Sequence, residues 1–301
     1  MTPKDFLNFI RWKNLLIIAL IMLLIKFVLF EKFELNVALD PFHYGLLTLS
    51  TLCLAIAGYI INDIYDIKAD RINKPARLYV GRKISRRSAY SLFIGFNSVG
   101  LLLGMYLSYH VGHTSYFIIY VITSLLLYQY AKYLKKKFLL GNLIVAFIVF
   151  LSIVLPLVFD LMPVTSKLNE ASQMVAFRLV TVFAFFGFLM TLVREIVKDM
   201  EDLKGDLEIQ VRSLPVVLGM GRTKGIVLGT VLLLFLAILF FAYMLLEHDL
   251  YASLYMSAFV ALPMLYFAYA FWKANDKKEL HKSSAVLKIV MLLGILTILL
   301  I

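Results

Sequence analysis

Two stretches of this chain carry the same acidic spacing. Asn62-Asp63-Ile64-Tyr65-Asp66-Ile67-Lys68-Ala69-Asp70 and Lys198-Asp199-Met200-Glu201-Asp202-Leu203-Lys204-Gly205-Asp206 both read D-x-x-D-x-x-x-D. On a helix of about 3.6 residues per turn, offsets of three and seven place each carboxylate triplet within roughly 60° of one face. Like charges stacked in this way repel. Both triplets also close an apolar run, at what would be a helix C-terminus, where the macrodipole is already negative. Folding alone does not ask for such an edge, and a divalent cation offsets it. Carboxylates with open positions beside them suit Mg2+, which keeps waters and shares its coordination sphere with phosphate oxygens. Arg71, Lys74, Arg77, Arg82 and Lys83 follow the first triplet, and Arg194, Lys198, Lys204 and Arg212 flank the second. Such cations cover the diphosphate oxygens that a metal leaves. The pattern therefore predicts a Mg2+-diphosphate site with Asp63, Asp66, Asp70, Asp199, Asp202 and Asp206 as ligands. One mixed-charge loop is commonly a solvated turn beside a membrane; its repetition is what points to chemistry.

The elements that must hold these edges are membrane helices. Of 301 residues, 62% are hydrophobic and only 16% charged, with a mean hydropathy of +0.88. Nine apolar runs have spanning length: 15–30, 42–64, 89–109, 114–133, 138–159, 174–193, 225–246, 251–272 and 285–301. The first triplet closes the second run and the second triplet follows the sixth, four spans later, which suggests an internal repeat within one domain covering residues 1–301. Lys26, inside the first run, must snorkel or face a polar cavity, since a charge at the bilayer centre costs roughly 2.5–3.5 kcal/mol. Twenty-five of the 30 Lys and Arg residues fall in the N-terminal segment and the even-numbered loops, which puts the N-terminus in the cytoplasm and the C-terminus outside.

The same counts exclude other classes. A net charge of +11 reads here as basic cytoplasmic loops and not as a nucleic-acid surface. Cys53, the single cysteine, leaves no intramolecular disulfide and no Cys-based metal cluster. The first run continues to a full span with no small-residue cleavage site after it, so no cleavable signal is expected. His43, His110, His113, His248 and His281 lie near run ends with no pair at ligand spacing on one helical face, which points to structural or interfacial roles ahead of haem or zinc.

Together these residues resemble the UbiA superfamily of intramembrane prenyltransferases. Asn62-Asp63-x-x-Asp66-x-x-x-Asp70 is similar to its first aspartate-rich motif and Asp199-x-x-Asp202-x-x-x-Asp206 to its second, and the nine runs cover nearly the whole chain. The resemblance implies an all-α polytopic membrane protein, a bundle with a central cavity opening to the cytoplasmic side. It implies Mg2+-dependent transfer of a prenyl group from a polyprenyl diphosphate, such as geranylgeranyl diphosphate, to a lipophilic acceptor with release of diphosphate. Asn62 joins the catalytic set on this ground. Arg11-Trp12-Lys13-Asn14 is similar to the family's Arg and Asn near the first span, which implies substrate contacts for Arg11 and Asn14; an interfacial Arg-Trp anchor explains the same residues without chemistry. The family also places a tyrosine and a lysine one turn apart after the fourth span. Tyr128 and Lys132 have that spacing, whereas alignment on Gly141-Asn142 selects Lys135, so both lysines are substrate-binding candidates.

The flanks narrow the branch. Asp70-Arg71-Ile72-Asn73-Lys74-Pro75, Arg194-Glu195-Ile196-Val197-Lys198 and Arg212-Ser213-Leu214-Pro215 are most similar to members that attach a geranylgeranyl chain to geranylgeranylglyceryl phosphate. Those members commonly read R-P-x-P-S-G-R-I-S where this chain has Arg77-Leu78-Tyr79-Val80-Gly81-Arg82-Lys83-Ile84-Ser85, which leaves the acceptor open between a glycerophosphate prenyl ether and an aromatic quinone or haem precursor. The implied chemistry is ionisation of an allylic diphosphate, with Mg2+ clamped between the two aspartate edges and the cation sheltered in an apolar, aromatic-lined cavity. Two other classes fit less well. An anionic-lipid transporter or binding protein would carry mid-span charges and matched broken helices, and a CDP-alcohol phosphotransferase would open on a D-G-x-x-A-R sequence that this chain lacks.

Overall fold

The structure is a computed structural model that describes residues 1–167, 169–247 and 249–301, without the side chain of Arg77. Among the described residues there is no β-strand, and nine helices are long and apolar enough to cross a membrane: Trp12–Phe30, Pro41–Tyr65, Arg86–His110, Thr114–Lys132, Leu140–Val164, Glu170–Glu201, Met220–Leu245, Leu250–Lys273 and Lys277–Leu299. Their order and number match the nine apolar runs, giving an all-α membrane fold. The sixth differs most from its apolar run, continuing past residue 193 to Glu201, so that Asp199 lies inside the helix. Polar caps mark where several spans begin. Asp40 accepts from Phe42 N (2.8 Å) and His43 N (3.1 Å) ahead of Pro41, Ser85 accepts from Ser88 N (3.0 Å), and Asp276 accepts from Glu279 N (2.7 Å).

The chain forms two compact units. The first comprises Met1–Lys135 and Leu151–Thr181, the second Lys136–Phe150 and Val182–Ile301. In the first unit the second span is the most enclosed, burying Tyr44, Leu47, Leu54, Ile60, Ile61 and Ile64. Gly100 and Gly104, one turn apart on the third span, let its neighbours come close: a Cβ at Gly100 would stand 2.9 Å from Leu54, and one at Gly104 2.5 Å from the Tyr120 ring. The Tyr120 hydroxyl is buried there and hydrogen-bonds Ser50 at 2.9 Å. The second unit is built on the face Val227, Val231, Leu234 and Ile238 of the seventh span, whose spacing of three and four residues presents one apolar stripe. It packs with Met264, Phe267 and Phe271 of the eighth span and Leu287 and Val290 of the ninth.

Lys26 meets a buried carboxylate. It is buried in the first unit, donating to Asp160 Oδ2 (2.8 Å) and the Leu39 carbonyl (2.6 Å), while Asp160 Oδ1 accepts from Leu39 N (2.7 Å). Both residues sit in π-helical stretches, Ile25–Phe30 and Leu157–Leu161, where the wider turn re-aims a side chain. The sequence hid this pair because its members lie 134 residues apart.

Candidate active site

The second span ends at Tyr65, and Asp66 stands alone at φ −90°, ψ 3° before a short helix, Ile67–Asn73. The single straight acidic face expected from the spacing is therefore broken at the middle aspartate. Hydrogen bonds from Asp66 N to Asn62 O (2.9 Å) and Asp70 N to Asp66 O (2.8 Å) carry across the break, so the chain bends without losing its winding. Turning there relieves the stacking of three like charges and gives the carboxylates separate partners. Arg11 Nη2 donates to Asp63 Oδ1 at 2.7 Å with its guanidinium 4.7 Å above the Tyr59 ring. Asn62 Nδ2 donates to Asp66 Oδ2 at 2.7 Å, and Lys135 Nζ donates to Asp66 Oδ1 and, at 3.3 Å, to Asn62 Oδ1. Burial and the carboxylates of Asp66 and Asp63 push Asp70 up to about 7, against the fields of Lys74 and Arg11.

Arg11 is held under strain. Its backbone is left-handed at φ 56°, ψ 47°, a conformation that costs a non-glycine residue on the order of 1–3 kcal/mol. The preceding helix Pro3–Phe9 is anchored by a capping box between Thr2 and Asp5, and Asp5 accepts from Lys83 at 2.6 Å. That bond engages Lys83, one of the cations that follow the first triplet.

The second motif repeats the break. The sixth span ends at Glu201, Asp202 takes φ −97°, ψ 6°, and the helix Leu203–Glu208 follows. This helix closes through Gln210 at φ 58°, with Val211 N bonded to Asp206 O (2.9 Å) and Gln210 N to Leu207 O (3.3 Å), the pattern of a Schellman turn. Asn142 Nδ2 donates to Asp199 Oδ2 at 2.8 Å. Lys277 Nζ lies 4.0 Å from Asp202 Oδ1. Arg194 and Lys198 both reach Glu195, Arg194 at 3.4 Å.

The remaining candidates stand further out. Lys132 lies over the rings of Tyr128 and Tyr133, at 5.6 and 4.8 Å. Arg82 donates to the Pro75 carbonyl at 3.3 Å, Arg71 is exposed, and Asn14 is half-buried in the first turn of its span. The exposed Arg212 donates its backbone N–H to Lys136 O at 3.1 Å. The side chain of Arg77 and the whole of His248 lie outside the described residues. Sequence reading passes over Asn142 and Glu195 as motif neighbours and Lys277 as a loop cation, and proposes none of them for the site. Glu195 could have been found one turn before Asp199, and Asn142 as a polar residue opening an apolar run, whereas Lys277 comes from a distant helix with no local signal.

As donors, both motifs offer carboxylate oxygens with no thiolate or imidazole among their six aspartates. This hard set suits Mg2+. A carboxylate pushed to about 7 by burial and by neighbouring carboxylates is also what a cation would relieve.

Comparison with known proteins follows the same line. The model of the UbiA prenyltransferase family matches residues 33–292. Digeranylgeranylglyceryl phosphate synthase of Korarchaeum cryptofilum is 33% identical over 250 residues, covering 81% of this chain and 80% of that one. A solved structure of digeranylgeranylglyceryl phosphate synthase superposes with a TM-score of 0.63 at 29% identity, covering 98% of each chain. A UbiA homologue from Archaeoglobus fulgidus, solved with GPP and Mg2+ bound, shares the fold at a TM-score of 0.59 and 14% identity, covering 98% of this chain and 99% of that one.

Proposed function

The chain belongs to the UbiA prenyltransferase family, and from that premise we propose that it transfers a geranylgeranyl group from geranylgeranyl diphosphate to a glycerophosphate prenyl ether. It is an integral membrane prenyltransferase; the donor, the acceptor and the site residues are our reading. The observation that carries the reading is the repeated aspartate motif, broken at its middle residue in both copies. The relatives named for digeranylgeranylglyceryl phosphate support the acceptor class. The whole chain, residues 1–301, is then one prenyltransferase domain, with one acidic edge in each compact unit.

Asp63, Asp66, Asp70, Asp199, Asp202 and Asp206 would hold Mg2+. Bound there, Mg2+ supplies Lewis-acid neutralisation of the leaving diphosphate. Arg11 and Lys135 balance Asp63 and Asp66 beforehand, and turn toward phosphate oxygens when the donor arrives. Asn62 orients Asp66, and Asn142 orients Asp199. The C–O bond to diphosphate breaks with its electron pair leaving on oxygen. The acceptor hydroxyl oxygen then bonds the first allylic carbon and loses its proton. Of Arg77, Arg82 and Lys83, the cations just beyond the first acidic edge in sequence, Arg77 and Arg82 are assigned to the acceptor's own phosphate, since Lys83 is engaged by Asp5, while Asn14, Arg71, Lys74, Lys132, Arg194, Lys198 and Arg212 complete the substrate-binding set. Both motifs lie at the cytoplasmic surface, with the N-terminus inside and the C-terminus outside, following the asymmetry of the basic loops.

The test is mass spectrometry of products from membranes given Mg2+, geranylgeranyl diphosphate and either geranylgeranylglyceryl phosphate or 4-hydroxybenzoate. The reading predicts a doubly prenylated glycerophosphate and little aromatic product. Efficient prenylation of the phenol, with none of the glycerophosphate ether, replaces the acceptor and leaves the prenyl transfer standing.

A further inference from the structure

The histidines tell a second story that spacing along single helices conceals. Asp40 caps the second span, His43 lies in its first turn, and His110 is the last residue of the third span. All three belong to the first compact unit. One ligand atom from each lies within 4.8 Å of the others, although 67 residues of sequence separate His43 from His110. Two spans packed side by side join the start of one to the end of the next, which brings the two rings together.

Three side chains with ligand atoms converge on one spot. Asp40 Oδ1 is taken by the helix N–H groups of Phe42 and His43, which leaves Oδ2 turned to His43 Nδ1. The other ring nitrogen, His43 Nε2, meets the Tyr106 hydroxyl at 3.1 Å. A metal-binding imidazole characteristically has its second nitrogen held by such a partner, which fixes the tautomer and aims the first nitrogen. The His43 and His110 rings stack with centroids 3.7 Å apart and planes 12° from parallel. One of the two rings must turn for a nitrogen of each to face a single ion. His110 also ends its helix, where the dipole favours positive charge. Asp40 and His110 are exposed, so an ion reaches them from solution.

We propose that Asp40, His43 and His110 bind a late first-row divalent cation such as Zn2+, separate from the Mg2+ of the aspartate motifs. Two imidazoles and a carboxylate are the borderline donors that Zn2+ prefers over Mg2+, and three protein ligands leave one position for water. The second span carries Asp40 and His43 at one end and the first aspartate motif at the other. Its 25 residues set the two sites roughly 37 Å apart at about 1.5 Å per residue. The ion would tie the second span to the third at the end remote from that motif.

The test is calorimetric titration of the purified full-length protein with Zn2+ in excess Mg2+, which keeps the aspartate motifs occupied, paired with Co2+ absorption as a report of imidazole ligation. Wild type should bind one Zn2+ per chain and give a Co2+ d–d spectrum. His110→Gln, which keeps a polar side chain at an exposed helix end, should weaken binding by more than about tenfold. Asp40→Asn, which preserves the helix cap, should weaken it as well, and Asp66→Asn should leave it unchanged. The proposal is overturned if wild type takes up no Zn2+ beyond Mg2+ exchange, or if His110→Gln and Asp40→Asn both bind as wild type does.

Discussion

Two charged groups in the first unit are built from the same residue types and come to opposite ends. At Lys26 and Asp160 one ammonium meets one carboxylate, both buried, and the Leu39 carbonyl and N–H complete the hydrogen bonding. The account there is closed. At the first aspartate motif Arg11 and Lys135 meet Asp63 and Asp66, while burial, and after it the same two carboxylates, push Asp70 up to about 7. On the proposed function a metal ion completes this group. Burial alone does not distinguish the two groups; their partners do.

The largest effect should come from the open group. Replacing Asp66 or Asp202 with Asn keeps size and removes ligand charge, and should lower turnover by two or more orders of magnitude, in line with the roughly 10²–10³ lost with one group that stabilises a transition state. Single-turnover prenyl transfer in purified protein checks this. Near-normal turnover in either variant would erase the distinction between the two groups.

The closed group should respond in stability. Asp160→Ala strands a buried ammonium and should cost about 3–5 kcal/mol, whereas Lys26→Met combined with Asp160→Leu should recover part of that cost, because it removes the stranded charge but leaves the Leu39 N–H and carbonyl without these partners. Denaturation in mixed micelles measures both, and the folded double variant should keep its turnover. Loss of turnover in a stable double variant would make this pair part of the machinery and break the comparison.

A smaller effect is expected from pH. Asp70 sits above its ordinary value, so a proton competes with metal below about pH 7 and is gone above it. The Mg2+ concentration for half-maximal rate should therefore fall as pH rises from about 6 to about 8, by at most tenfold per unit, and level off. Asp70→Asn should flatten the curve, and an unchanged slope in that variant would assign the proton elsewhere.

The smallest concerns the acceptor. Arg82→Gln should raise the acceptor KM more than the donor KM if Arg82 leaves the Pro75 carbonyl to meet the acceptor phosphate. Equal changes in both would return Arg82 to a topological role.

What the sequence revealed follows a physical divide. Spans are local patterns of apolar residues, so all nine and their order were legible, as were the two aspartate motifs. What stayed hidden depends on packing between distant segments: Lys26 with Asp160, Asn142 with Asp199, and His43 with His110. The bend at Asp66 and Asp202 was hidden for another reason. Ideal helical geometry carries no information about where repulsion and alternative partners end a helix, and both motifs end it at their middle residue.

The central claim of the proposed function is that the aspartate motifs hold a metal ion while the charge-matched interior pair does not. Mn2+ binding, followed by electron paramagnetic resonance in the presence of a non-hydrolysable prenyl diphosphate analogue, measures this directly. Wild type and the Lys26→Met, Asp160→Leu double variant should bind Mn2+ alike, and Asp66→Asn and Asp202→Asn should each bind at least about tenfold more weakly. Undiminished Mn2+ binding in both aspartate variants would contradict the account.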